Sequence, residues 1–157
     1  MPTALDLAID STVTRLMEND GPLSVTHVEK YGVQIPMIAK APGNLRDYFA
    51  MFCALNADKE FLVDGDLRLT FAECHAAALA LAGGLHEGYG LQVGDRVGIA
   101  ARNSANWIIA YMAILMAGGV ATLLNGWWQG SELADAIRMV GCKYVLADAQ
   151  RAARLQG

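Results

Sequence analysis

Apolar residues recur along this chain at two alternating periods. Leu5, Ile9, Val13 and Leu16/Met17 are spaced for one face of a helix over residues 4–19, with Thr3 placed to cap it. Residues 20–43 lose that rhythm. They hold three of the four prolines (Pro22, Pro36, Pro42) and read as an irregular lead-in with short strands near Ser24–Val28 and Val33–Ile38. Asn44 then caps a predicted helix that buries Leu45, Tyr48, Phe49, Phe52 and Leu55. Phe61–Val63 and Leu67–Leu69 flank Asp64-Gly65-Asp66 as a hairpin, because Asp-Gly suits the positive φ angles of tight turns. Thr70, with Glu73 three residues on, is a capping box: each side chain satisfies a backbone amide that the first helical turn leaves free. The helix it opens sets Phe71, Cys74, Ala78, Leu81 and Leu85 on one face, and Gly88 and Gly90 stop it.

The segment from Gly94 to Asp148 repeats one cycle. A short apolar strand (Arg96–Ala101) runs into Asn103-Ser104, then a helix, Gly118-Gly119 and a second strand (Val120–Leu124). Ser131 caps a further helix with Leu133, Ile137 and Val140; Gly141 ends it, and Lys143–Ala147 is a third strand. The fold class is therefore α/β: a partial parallel sheet with flanking helices, β-α-β-α-β, whose crossovers lay the strands side by side. Two parts are expected, a helix with an irregular lead-in over 1–43 and the α/β part over 44–157.

Composition narrows the function classes. Net charge is −4 and no basic cluster occurs, which argues against a phosphate-neutralising nucleic-acid surface. Cys53, Cys74 and Cys142 are odd in number and far apart, the usage of reduced thiols in a cytoplasmic protein. The N-terminal MPTALDLAID has acids where a secretion signal needs bases. No charge lies between Asn103 and Ser131, but Gly118-Gly119 divides that run. The helix from Ser104 to Ala117, at about 1.5 Å per residue, is too short to span a bilayer. Hydrophobic residues make up 54% and mean hydropathy is +0.28. Such an apolar chain is expected to be part of something larger, and a parallel sheet with uncovered edges favours self-association.

Leu69-Thr70-Phe71-Ala72-Glu73, Gly94-Asp95-Arg96-Val97-Gly98-Ile99, Asn103-Ser104 with Trp107, and Leu115 to Asn125 occur in order. Together they resemble the N-terminal part of the adenylate-forming (AMP-binding) superfamily, over roughly residues 44–155. Asn125-Gly126-Trp127-Trp128 followed by Gly130 and Glu132-Leu133 is similar to the fatty acyl-CoA ligase branch. Met116 stands where the family usually has lysine, Leu123 near its usual proline, Phe71 for tyrosine and Cys74 for leucine. The resemblance implies an AMP-forming acid–CoA ligase, with ATP, Mg and CoA as cofactors of the full-length enzyme and a medium- or long-chain carboxylate as substrate. It also implies that Arg151 and Arg154, which follow the third strand, approach the CoA nucleotide. The family's phosphate loop, ribose aspartate and C-terminal lysine have no counterpart in these 157 residues. The chain alone is expected to hold no catalytic residue, no metal ligand and no cofactor. Two rival readings remain: a shortened non-catalytic paralogue acting as an interaction module, and a small flavodoxin-like nucleotide binder, for which no phosphate loop is visible.

Other candidates are weaker. His27, His75 and His86 have no sequence-local partners, and Cys74 falls in a core stripe. Arg151 and Arg154, three apart, also suit a solvated helix. Trp127 and Trp128 read either as a lid over the carboxyl end of the sheet or as an anchor at a membrane surface, since indole rings favour the headgroup region.

Overall fold

Thr3 opens the first helix as its side chain accepts the Asp6 amide while Asp6 returns a bond to the Thr3 amide. This computed structural model describes residues 2–18 and 20–156. Asn19, at the end of the predicted first helix, lies outside the described residues. By backbone contacts the chain separates into two units, Met1–Gly43 and Asn44–Gly157.

The first unit holds α1 (Ala4–Met17) and an antiparallel hairpin, β1 (Val25–Lys30) with β2 (Val33–Ile38). The lead-in is thus more regular than its prolines suggest. Tyr31 and Gly32 both take positive φ (56° and 76°), the two-residue turn geometry that matches the twist of paired strands. The apolar stripe of α1 is not buried: Leu5, Ile9, Val13 and Met17 are all exposed.

The second unit opens with α2 (Leu45–Leu55), capped by Asn44 through the Asp47 amide. The expected burial of its aromatic stripe is only partly realised. Phe49 packs into the core and Cys53 is buried, but Leu45 and Leu55 are 51% and 72% exposed, and Tyr48 and Phe52 are exposed too. Phe61 stacks on Phe71, and Phe52 meets Phe71 edge-on. The hairpin of β3 (Glu60–Asp64) and β4 (Leu67–Thr70) turns at Gly65, φ 60°. The Thr70–Glu73 capping box then starts α3 (Phe71–Gly83), which widens into a π turn over Gly84–Gly88.

The parallel sheet has the order β6–β5–β7, with β5 (Arg96–Ala100) between β6 (Val120–Leu123) and β7 (Tyr144–Ala147). α4 (Ala105–Met116) and α5 (Gly130–Val140) make the two crossovers, and α6 (Ala149–Leu155) follows β7. The period of two in β5 assigns its faces. Val97 and Ile99 point toward α3 and α4, where Leu85, Leu91, Ala110 and Ile114 close the core. Gly98 and Ala100 point the other way, toward Leu124, Leu133 and Val145 beneath α5 and α6. Both faces of β5 are covered, which is why it is an apolar run. At α5 the structure corrects the expected cap. The helix begins at Gly130, and Gln129, not Ser131, is the cap, with its amide held by Glu132. No described helix is long and apolar enough to cross a membrane.

The cysteines occupy unlike settings. Cys74 is fully buried, its Sγ 3.8 Å from the Met112 sulfur. Burial, helped by the neighbouring Cys53, pushes its thiol up to about 11. Cys53 is pushed up by burial as well, whereas Cys142 is only half-buried. Since the thiolate is the reactive form, native alkylation at neutral pH should label Cys142 first. Mass spectrometry should find Cys53 and Cys74 unmodified until denaturant is added; early labelling of Cys74 would contradict this packing.

Candidate functional site

In an open α/β sheet, ligands meet the carboxyl ends of strands where neighbouring loops leave to opposite faces. In the β6–β5–β7 order the reversal falls at β5, whose helix α4 lies on the opposite side of the sheet from α5 and α6. A cleft of about 390 Å³ opens there. One wall is the β5–α4 turn, with Arg102 and Asn103; the other is the β6–α5 loop, with Asn125, Gly126 and Trp127; Trp107 and Arg151 complete the lining.

Each wall is fixed from its own sequence. Ser104 caps α4 by accepting the Trp107 amide, and Asp64, from the end of β3, accepts the Ala105 amide at 2.9 Å. An acidic group at a helix N-terminus also complements the helix dipole. Asn125 folds the opposite loop, its side chain accepting the Trp127 amide and its carbonyl the Trp128 amide.

Asp148 and Arg151 join the walls. Asp148 caps α6 through the Arg151 amide and accepts the Arg102 amide at 3.0 Å and Arg151 Nη1 at 3.1 Å. Arg151 donates Nε to the Gly126 carbonyl at 2.8 Å and Nη1 to Gln150. Arg154 donates Nη1 to the Gly126 and Trp128 carbonyls. Gly126 is a glycine for a geometric reason: a β-carbon there would lie 3.3 Å from both the Ala101 carbonyl and Arg151 Nε. Burial pushes the Asp148 carboxyl up, but the Arg151 and Arg102 amides and the Arg151 charge outweigh it and hold the group below the ordinary carboxylate range.

The sequence candidates are thereby sorted. Arg151 is 2% exposed, so the solvated-helix reading fails for it: its guanidinium is committed to the protein's own loop. Arg154 is half-buried and uses only Nη1, so its other donors have no partner among the described residues. The two tryptophans part company. Trp128 packs against the core beneath α5, while Trp127 is 81% exposed at the cleft rim. None of the three histidines lines the cleft, and among the described residues no three metal-ligating side chains gather. Sequence reasoning missed Arg102, Asn125 and Asp148. Asp148, three residues before Arg151 at a helix start, was the one that left a readable trace. The cleft offers an exposed indole, two amides and a cation: groups that bind, with none placed to move a proton.

Comparison with known proteins gives this geometry its context. Residues 49–157 match the AMP-binding enzyme family. The rat mitochondrial medium-chain acyl-CoA ligase is 33% identical over 91 residues, 58% of this chain and 15% of that protein. A medium/long-chain-fatty-acid–CoA ligase of Mycobacterium tuberculosis is 34% identical over 91 residues, with the same coverage. The chain thus spans only a small part of the length of these relatives. Among solved structures, O-succinylbenzoate coenzyme A synthetase from Bacillus subtilis, in complex with AMP, superposes with a TM-score of 0.62. It is 26% identical, and the match covers 66% of this chain and 27% of that one. The N-terminal subdomain of Klebsiella oxytoca NpsA superposes with a TM-score of 0.63 at 23% identity, over 66% of this chain and 26% of that one, a likeness of fold. With the family match running over more than half of its length, the chain belongs to the AMP-binding enzymes.

Proposed function

We propose that this chain supplies the N-terminal scaffold of an AMP-forming ligase that joins a medium- or long-chain carboxylate to CoA. In that reaction the carboxylate attacks the α-phosphate of ATP, releasing pyrophosphate and leaving an acyl-adenylate. The CoA thiol then displaces AMP. The observation that carries the reading is the 33–34% identity to ligases named for such acids, within a family match over residues 49–157.

The residues present fit a share in holding CoA better than a share in activating ATP. Arg154, with guanidinium donors to spare beside the cleft, suits a phosphate, and Arg151 stands behind it as support for the loop. The sequence has no glycine-rich loop leading to a lysine, so these residues by themselves are proposed not to form an adenylate. The residues 44–157 are proposed as the portion that enters the AMP-binding domain, and 1–43 as a separate lead-in.

Carboxylate-dependent ATP–pyrophosphate exchange tests both claims. The 157-residue chain should show none with decanoate or palmitate, while the longest reading frame that carries it should exchange. Exchange by the chain alone would overturn its proposed inactivity. A longer frame that binds ATP yet ignores every fatty acid offered would overturn the ligase reading.

A further inference from the structure

We infer that the β1–β2 hairpin is a dimerisation arm, in which the free edge of β1 pairs antiparallel with β1 of a second copy about a two-fold axis at His27. The hairpin lies before the residues that match the family, so the inference is independent of the ligase reading. Its starting point is an energetic deficit. Every residue of β1 and β2 is exposed, and among the described residues the sheet has only these two strands. A two-stranded hairpin with no covered face is marginal in water; additional strands are what stabilise it.

The register decides which edge is open. The two-residue turn at Tyr31-Gly32 makes Lys30 and Val33 a hydrogen-bonded pair. Alternation then makes Val28/Ile35 and Thr26/Met37 hydrogen-bonded pairs, and the Ala39 amide donating to the Ser24 carbonyl at 2.8 Å continues the same ladder. Val25, His27 and Glu29 therefore turn their amides and carbonyls away from β2. On the far edge of β2 the equivalent residues are Gln34, Pro36 and Ile38, and Pro36 has no amide hydrogen to offer. One edge is blunted at its centre and the other is intact.

The intact edge is complementary to itself. About a two-fold at His27, His27 faces His27 of the second copy, and each Val25 faces Glu29, so all three outward donors and acceptors on each copy are used. Thr26 then sits beside Val28 of the second copy, with no like charges directly opposed. Each Glu29 carboxylate lies diagonal to the imidazole of the other His27 on the same face, within reach of long side chains. The paired hairpins merge Val28, Ile35 and Met37 of both copies into one apolar face. Residues 1–43 carry three lysines and arginines against five acids, a balance that disfavours phosphate polymers and anionic membranes as the occupant.

Sedimentation velocity on the chain and two proline variants tests this. The native chain should sediment as a dimer. His27→Pro removes the central outward amide of β1 without touching the ladder to β2, and should give a monomer. Gln34→Pro makes the same change on the opposite edge and should leave the dimer intact. A native monomer at about 100 µM, well above the micromolar range where modest interfaces dissociate, would overturn the proposal. So would a dimer that survives His27→Pro, or one lost equally in both variants. As a readout that needs no loss of structure, Thr26→Cys combined with Val28→Cys should form a covalent dimer under mild oxidation. These two positions face each other across the axis as non-hydrogen-bonded pairs, with α-carbons about 4.5 Å apart and side chains close enough for a disulfide. Failure of that cross-link in a dimeric sample would overturn the register.

Discussion

Arg151→Met is expected to destabilise the chain by about 3 kcal/mol, the lower end of the cost of removing one partner from a buried ion pair. The lower end applies because Asp148 retains a third of its exposure and two backbone amides. The Gly126 carbonyl likewise keeps a bond from Arg154. Methionine fills the space, so the loss reports the guanidinium and not a cavity. Urea denaturation of the two proteins at neutral pH measures it, and a change under about 1 kcal/mol would show that the staple contributes little. The acid side gives a second check. The folded Asp148 carboxyl is held below its ordinary value, so its contribution is complete above the unfolded value, about pH 4. It is lost as pH falls through the lower, folded value. Because Arg151 helps set that depression, the gap between native and variant proteins should narrow as the pH drops below about 4.

Gly98→Val is expected to cost a similar amount, about 3 kcal/mol, for the opposite reason. Gly98 is in the central strand with hydrogen-bonded neighbours on both sides. A β-carbon there would lie 2.8 Å from Leu124 Cδ1, 3.3 Å from Val145 Cγ2 and 3.4 Å from the Cys142 sulfur. Valine adds two methyl groups to that collision. Its better strand propensity and the reduced freedom of its unfolded chain return about 1 kcal/mol at most. Leu124 is the nearest obstacle and also begins the loop that walls the cleft. Combining Gly98→Val with Leu124→Ala should therefore recover part of the loss in thermal or urea unfolding, a coupling between touching residues. Strictly additive losses would mean that the strain is relieved elsewhere.

How far the sequence reached depends on whether a feature is local. The β-α-β-α-β cycle was legible because Val97–Ala100 and Tyr144–Ala147 are apolar on both faces and their helices begin and end at local signals such as Ser104 and Gly141. Burial on α2 was not. Leu45, Tyr48, Phe52 and Leu55 carry an apolar pattern, but pattern states what a residue tolerates and not which surface arrives to cover it. The same limit hid the role of Arg151. Two arginines three apart look solvated until the Gly126 carbonyl, distant in sequence, comes within 2.8 Å. At α5 the pairing of the Gln129 amide with Glu132, three residues on, sets the helix start and outweighs the stronger intrinsic capping tendency of Ser131. The cleft itself required a strand order, and strand order is a property of the whole sheet.

Asp148 has one more consequence. It holds the Arg102 amide of one loop and, through Arg151, the carbonyl of another, so the distance between the cleft walls is governed from the end of a third strand. The walls are tied in series: widening the cleft strains the chain of bonds that runs from the Arg102 amide through Asp148 and Arg151 to the Gly126 carbonyl. Much of the ordering that a ligand would otherwise have to impose on two separate loops is thus already accomplished when the chain folds.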